Sequence, residues 1–154
     1  MMKKLIFLLL LLPFASKAQN YMAIADSCFK LKNYVCAATN YNLALDKLDP
    51  ESNGIAYYAA TSWALAKDKE KTFTALNRYV KNNALNNNTF FSDKLLKEKN
   101  FDFLKDDPRW QAMIMSVQKE EARVREQERK EMDAVKANWK DFEATLDVRP
   151  QLDK

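Results

Sequence analysis

Histidine is absent from all 154 residues of this chain. That removes the commonest general base and the commonest zinc ligand. Only two cysteines occur, too few without histidine for a usual structural zinc site. Glycine occurs once, at Gly54, so neither a glycine-rich phosphate loop nor a nucleophile elbow can be built. Acids are plentiful, but they alternate with Lys and Arg at helical i,i+4 spacing, the pattern of a solvated face rather than of an acid–base pair. No catalytic residue, metal ligand or cofactor site is identified, and the chain reads as non-enzymatic. With one Gly, four Pro and 47% hydrophobic residues, it also reads as all-α.

Long apolar runs are scarce as well. The one that exists, Leu5–Phe14, follows Lys3-Lys4 and precedes the small-residue motif Ser16-Lys17-Ala18. That order is a secretory signal peptide, residues 1–18, with cleavage expected after Ala18. The run is shorter than the ~20 residues a membrane span needs, so the mature chain is expected to have none. No Cys stands at the cleavage point to take a lipid anchor. The expected location is the periplasm or the cell exterior. Charge follows from this. The whole chain has 25 basic and 21 acidic residues, but three of the basic ones lie in the leader, leaving 22 against 21. A net charge of +1 gives no reason to expect nucleic acid or an anionic membrane as partner.

Helical periodicity organises the mature chain. Tyr34, Ala37, Tyr41 and Ala44 fall on one face, bulky and small residues alternating, so a second helix can approach closely at the alanines. Tyr21, Ile24, Ala25 and Cys28 make a similar face before it. Helices are expected over Asn20–Leu31 and Tyr34–Lys47, joined at Lys32-Asn33. Asp49-Pro50 ends the pair, and Ser52 or Asn53 can cap the next start. A second pair is expected over Gly54–Ala66, with Ala56, Ala59, Ala60 and Trp63 inward, and over Lys69–Asn82, with Thr72, Phe73, Leu76, Tyr79 and Val80 inward. The Asn-rich stretch Asn82–Asn88 predicts a loop.

The two pairs resemble tetratricopeptide repeats, 34-residue helical hairpins that stack into solenoids and bind other proteins. Aligning Thr72 with Ala37 gives a period of 35. The stretch Phe101–Trp110, with Phe101, Leu104 and Asp107-Pro108-Arg109-Trp110, resembles the closing segment that follows such repeats in exported bacterial proteins. The resemblance implies a right-handed α-solenoid of about two helix pairs, with capping helices, over residues 19–117. It also implies a concave groove lined by the first helix of each pair, here Met22, Asp26, Phe29, Tyr57, Thr61 and Ala64. Such a groove holds an extended peptide or a partner helix. The Lys and Asn that capture a C-terminal carboxylate in some of these proteins are missing, so an apolar peptide fits better.

Residues 118–149 differ. Gln118–Glu131 has no apolar face apart from Val124 and predicts a solvated helix held by pairs such as Glu121–Arg125 and Glu126–Lys130. Met132, Val135, Trp139, Phe142 and Leu146 then recur at heptad spacing for two heptads. Three fates are open for that seam: folding back on the repeats, pairing with a second copy in a homo-oligomer, or docking another protein. Arg149-Pro150 ends the helix. Cys28 and Cys36 flank one hairpin corner and have two readings, small buried thiols or a disulfide staple. The leading functional reading is a non-catalytic interaction module of the cell envelope. A self-associating scaffold and an accessory segment of an envelope enzyme complex are the alternatives.

The leader is directly testable: mass spectrometry of the native protein should find Gln19 at the N-terminus, and a retained Met1 would contradict export.

Overall fold

The computed structural model describes residues 12–85 and 91–147, with side chains over 20–84 and 91–143. The described residues are helical, with no strand among them. The order is α1 (Leu12–Lys30), α2 (Tyr34–Lys47), α3 (Asn53–Leu65), α4 (Lys69–Leu85), α5 (Ser92–Lys97), a 3-10 helix (Lys99–Leu104) and α6 (Pro108–Asp147). Most of the expected leader lies outside the described residues, and the Ala18 side chain does too. The α1 backbone starts at Leu12, earlier than the expected Asn20, and passes through Ala18 unbroken. Among the described residues no helix is long and apolar enough to cross a membrane.

Helices α1 to α4 pack each on the next. The alternation of small and large residues explains how. Ala37, Ala44, Ala56, Ala59 and Ala60 are fully buried, and Tyr41, Trp63, Phe73, Leu76 and Tyr79 fill the space around them. Two polar contacts, one at the edge of this core and one on its surface, join helices. The Tyr41 hydroxyl donates to Asp26 at 2.7 Å, and Arg78 of α4 meets Asp46 of α2 at 2.6 Å. Burial, helped by Asp26, pushes the Tyr41 hydroxyl pKa well above its ordinary value.

The two hairpin corners are built alike, 35 residues apart. Lys32 and Lys67 both have positive φ, 58° and 59°. In the first corner, the Lys32 amide donates to Phe29 O and the Asn33 amide to Cys28 O. In the second, Lys67 donates to Ala64 O and Asp68 to Trp63 O. This is the Schellman arrangement, which satisfies the last carbonyls of a helix. The residue after each Lys then caps the following helix: Asn33 accepts from the Cys36 amide at 3.2 Å and Asp68 from the Lys71 amide at 3.0 Å. The first corner carries one thing more. Cys28 and Cys36 are joined by a disulfide, so of the two readings the staple holds. It closes a loop of eight residues, worth about 2–3 kcal/mol through the unfolded chain.

One expected boundary moves. The loop expected from Asn82 begins later, because α4 continues to Leu85. Asn82 and Asn83 are buried. The Asn82 amide donates to Pro50 O and Ser52 O at 3.1 and 3.3 Å, and the Asn83 amide to Tyr79 O at 2.8 Å. Asn82 thus ties the end of α4 to the turn that separates the hairpins, while Asn83 bonds back within α4. Residues 86–90 of that expected loop lie outside the described ones.

The closing segment behaves as its residues suggest. Phe101, Leu104 and Trp110 are buried to 1% exposure or less, and the 3-10 helix packs on α3. Asp107 caps α6, accepting from the Arg109 amide at 3.0 Å. Arg109 also lies over the Phe73 ring and bonds Glu70 of α4 at 2.8 and 2.9 Å. Arg109 holds the Asp107 carboxyl well below the usual carboxylate range.

Non-glycine residues in the left-handed region are strained by about 1 kcal/mol or more. Lys32→Gly should therefore raise stability by roughly 0.5–1 kcal/mol, net of the added unfolded-state freedom. Chemical denaturation checks this; a loss would mean that Lys32 does not hold a positive φ.

Candidate interaction surfaces

Two regions could meet another molecule: the face of α1 and α3 expected to line a groove, and the distal half of α6. The six groove residues do not form one open surface. Ala64 is fully buried and Thr61 nearly so, both enclosed in the core. Met22, Phe29 and Tyr57 are half-buried against it. Phe29 stands edge-on to Tyr34, with ring centres 5.6 Å apart. Asp26 alone of the six is exposed, and its carboxylate already accepts from Tyr41.

Tyr57 is covered by a later segment of the chain itself. The Tyr57 hydroxyl donates to Glu98 at 2.6 Å. The Lys94 ammonium sits 3.7 Å from the ring centre. Tyr79 and Phe101 flank the ring at 5.4 and 6.3 Å. Burial first, and the bond to Glu98 second, push the Tyr57 pKa well above its ordinary value, so the hydroxyl stays protonated and donating throughout the neutral range. Lys94 and Glu98 belong to the segment after the Asn-rich stretch. Their pairing with Tyr57, across 41 positions for Glu98, has no local sequence signal.

Helix α6 has two unlike halves on one face. In the proximal half, Trp110, Ile114, Val117 and Glu121 are buried against the body. Glu121 is expected from its neighbours to be solvated, and the structure corrects that. Its carboxylate accepts from the Phe91 and Ser92 amides at 2.8 and 2.7 Å and from the Ser92 hydroxyl at 2.7 Å. It thereby supplies hydrogen-bond acceptors where α5 begins. The signal lay in the spacing, since 110, 114, 117 and 121 form one helical stripe. Arg125 stays within 3.7 Å of it, as the i,i+4 spacing suggested.

The distal half is open. All residues from Arg125 to Glu143 are exposed. The seam does not fold back on the repeats: Met132, Val135, Trp139 and Phe142 are 56%, 49%, 61% and 52% exposed. The rings of Trp139 and Phe142 meet edge to face at 5.9 Å. Val135, Asn138, Trp139 and Phe142 line a shallow depression of about 310 Å³. The side chain of Leu146 lies outside the described residues. Other exposed apolar residues, such as Leu31 and Met115, are scattered singly, which is ordinary. Four large ones in a row are not.

No known family model, curated protein or solved structure matches the chain. Among the described residues no group of three or more His, Cys, Asp or Glu side chains converges as a metal site would require.

So covered, Tyr57 packs against the core. Tyr57→Ala should destabilise the protein by about 3 kcal/mol, lowering the melting temperature by roughly 10 °C. Tyr57→Phe, which loses only the bond to Glu98, should cost about 1–2 kcal/mol. A melting temperature unmoved by the alanine change would put Tyr57 back on an open surface.

Proposed function

We propose that the protein is an exported, non-catalytic protein–protein interaction module, a tetratricopeptide-like pair of helical hairpins that engages its partner through the distal half of α6. One observation carries this: four large apolar side chains, Met132, Val135, Trp139 and Phe142, stand in a row on a helix that nothing in the described chain covers. Burying such side chains is worth about 1.5–3 kcal/mol each. Trp and Phe are also among the residue types enriched at protein interfaces.

The other parts of the proposal have support of their own. The bond-for-bond recurrence of the two corners favours a repeated hairpin of tetratricopeptide type. The Cys28–Cys36 disulfide is of a kind that persists in oxidising compartments, which favours export. Occupation of Tyr57 by Lys94 and Glu98 disfavours peptide capture at that point of the groove, since the chain's own segment would have to leave first.

Site-specific photocrosslinking in the native cell envelope tests the proposal. A photoreactive residue in place of Trp139 should give a covalent adduct with another polypeptide, and one in place of the solvent-facing Lys130 should not. Absence of any adduct at Trp139, Val135 and Phe142 would remove the distal helix as the docking element. Trp139→Ala should weaken the captured complex by about 2 kcal/mol or more, with stability changed by no more than about 0.5 kcal/mol.

A further inference from the structure

We infer that the occupant of the distal seam is a second copy of this chain, laid antiparallel. The inference rests on the distal helix being the docking element, and it adds what docks there and in which direction.

Phase is the first consideration. Met132, Val135, Trp139 and Phe142 each lie eighteen residues beyond Ile114, Val117, Glu121 and Val124. Eighteen residues are five full turns at 3.6 per turn. The distal seam therefore points to the same side of α6 as the stripe buried against the body. It continues the packed interface outward, past the point where the body stops. From Arg125 to Asp147 the free helix is about 35 Å long.

That shared side excludes one of the two ways to pair helices. In a parallel pair, a second α6 laid along the seam in the same direction would run its proximal half through the first chain's body. In an antiparallel pair, only the two distal halves overlap. Each body then lies beyond Asp147 of the other's helix, and the described residues claim no space twice. The dyad makes the interface isologous, the commonest closed symmetry for a homodimer.

Size is the second consideration. With the two-fold axis at the level of Ala137, Met132 of one copy faces Phe142 of the other and Val135 faces Trp139. Every layer then holds one larger and one smaller side chain, so the layers have similar volumes and interdigitate. Parallel pairing would set Trp139 against itself beside a layer of two valines. Charge is the third. The antiparallel register brings Arg129 of each copy to Glu143 of the other along one rim. Lys136 meets its own copy on that rim near the axis. At a solvated site such a like-charge approach costs little.

Light scattering with size exclusion on the mature chain, at micromolar concentration, should give twice the chain mass. Trp139→Glu should return it to the monomer, raising the dimer dissociation constant by at least about 30-fold. The residue is exposed in the single chain, so the variant should remain helical by circular dichroism and lose only the concentration-dependent part of its melting temperature that association supplies. Direction is read from thiol crosslinking with a short reagent. A mixture of Met132→Cys and Phe142→Cys chains should crosslink, and neither variant alone should. A monomer at all concentrations overturns the inference. So does crosslinking of Met132→Cys to itself, which only parallel pairing allows, and so does a dimer whose mixed variants fail to crosslink. If the chain is monomeric but a photoreactive group at Trp139 captures a different protein in the envelope, the second copy is refuted while the docking helix stands. If neither occurs, both are refuted.

Discussion

Close approach of helix backbones is the condition on which the body depends. Ala37, Ala44, Ala56, Ala59 and Ala60 have no exposed surface. They let α2 and α3 come near enough for Tyr41, Trp63 and Tyr79 to fill the remaining gaps. A methyl group is the largest side chain such a contact admits without moving a helix. Overpacking a dense interior costs as much as leaving a void. The hairpin corners serve the same end. They accept a strained lysine so that each helix reverses within three residues and returns at close range.

The parts of this fold that were legible in the sequence are those set by local rules. The face of α2, the inward stripe of α3, the cap at Asp107 with Pro108, and the turn at Asp49-Pro50 all follow from spacing and from single-residue preferences. The structure agrees with each. What was not legible depended on partners far along the chain. Asn82 and Asn83 read as a loop because Asn avoids helix interiors; carbonyls at Pro50 and Ser52, 32 and 30 positions away, accept from Asn82 and reverse that preference there. Glu121 read as a solvated charge until two amides and a hydroxyl claimed it. Tyr57 read as groove-lining, correctly placed on α3, but nothing in its neighbourhood announced Glu98 and Lys94.

The candidate site divides along the same line. Periodicity alone marked the seam from Met132 onward, and the structure leaves that seam uncovered. The groove residues came from resemblance to a repeat family, and two of them, Thr61 and Ala64, are enclosed by the core. A two-hairpin body is small, and the segment that closes its end must come from the same chain. Phe101, Leu104 and Trp110 cover that end. The same segment, following α5, brings Glu98 over Tyr57. Closing the core and covering Tyr57 are thus one structural event rather than two.

The charged stretch between Val124 and Met132 is exposed, yet its length is constrained. It is a spacer that transmits angle. Each inserted or deleted residue would turn everything beyond it by about 100° around the helix axis. A single deletion there would keep every side chain of the seam and every contact of the body, while aiming the seam away from the side on which the body sits. A substitution in this stretch should be harmless so long as it keeps the helix. Residue identity is free across these turns, and residue count is not.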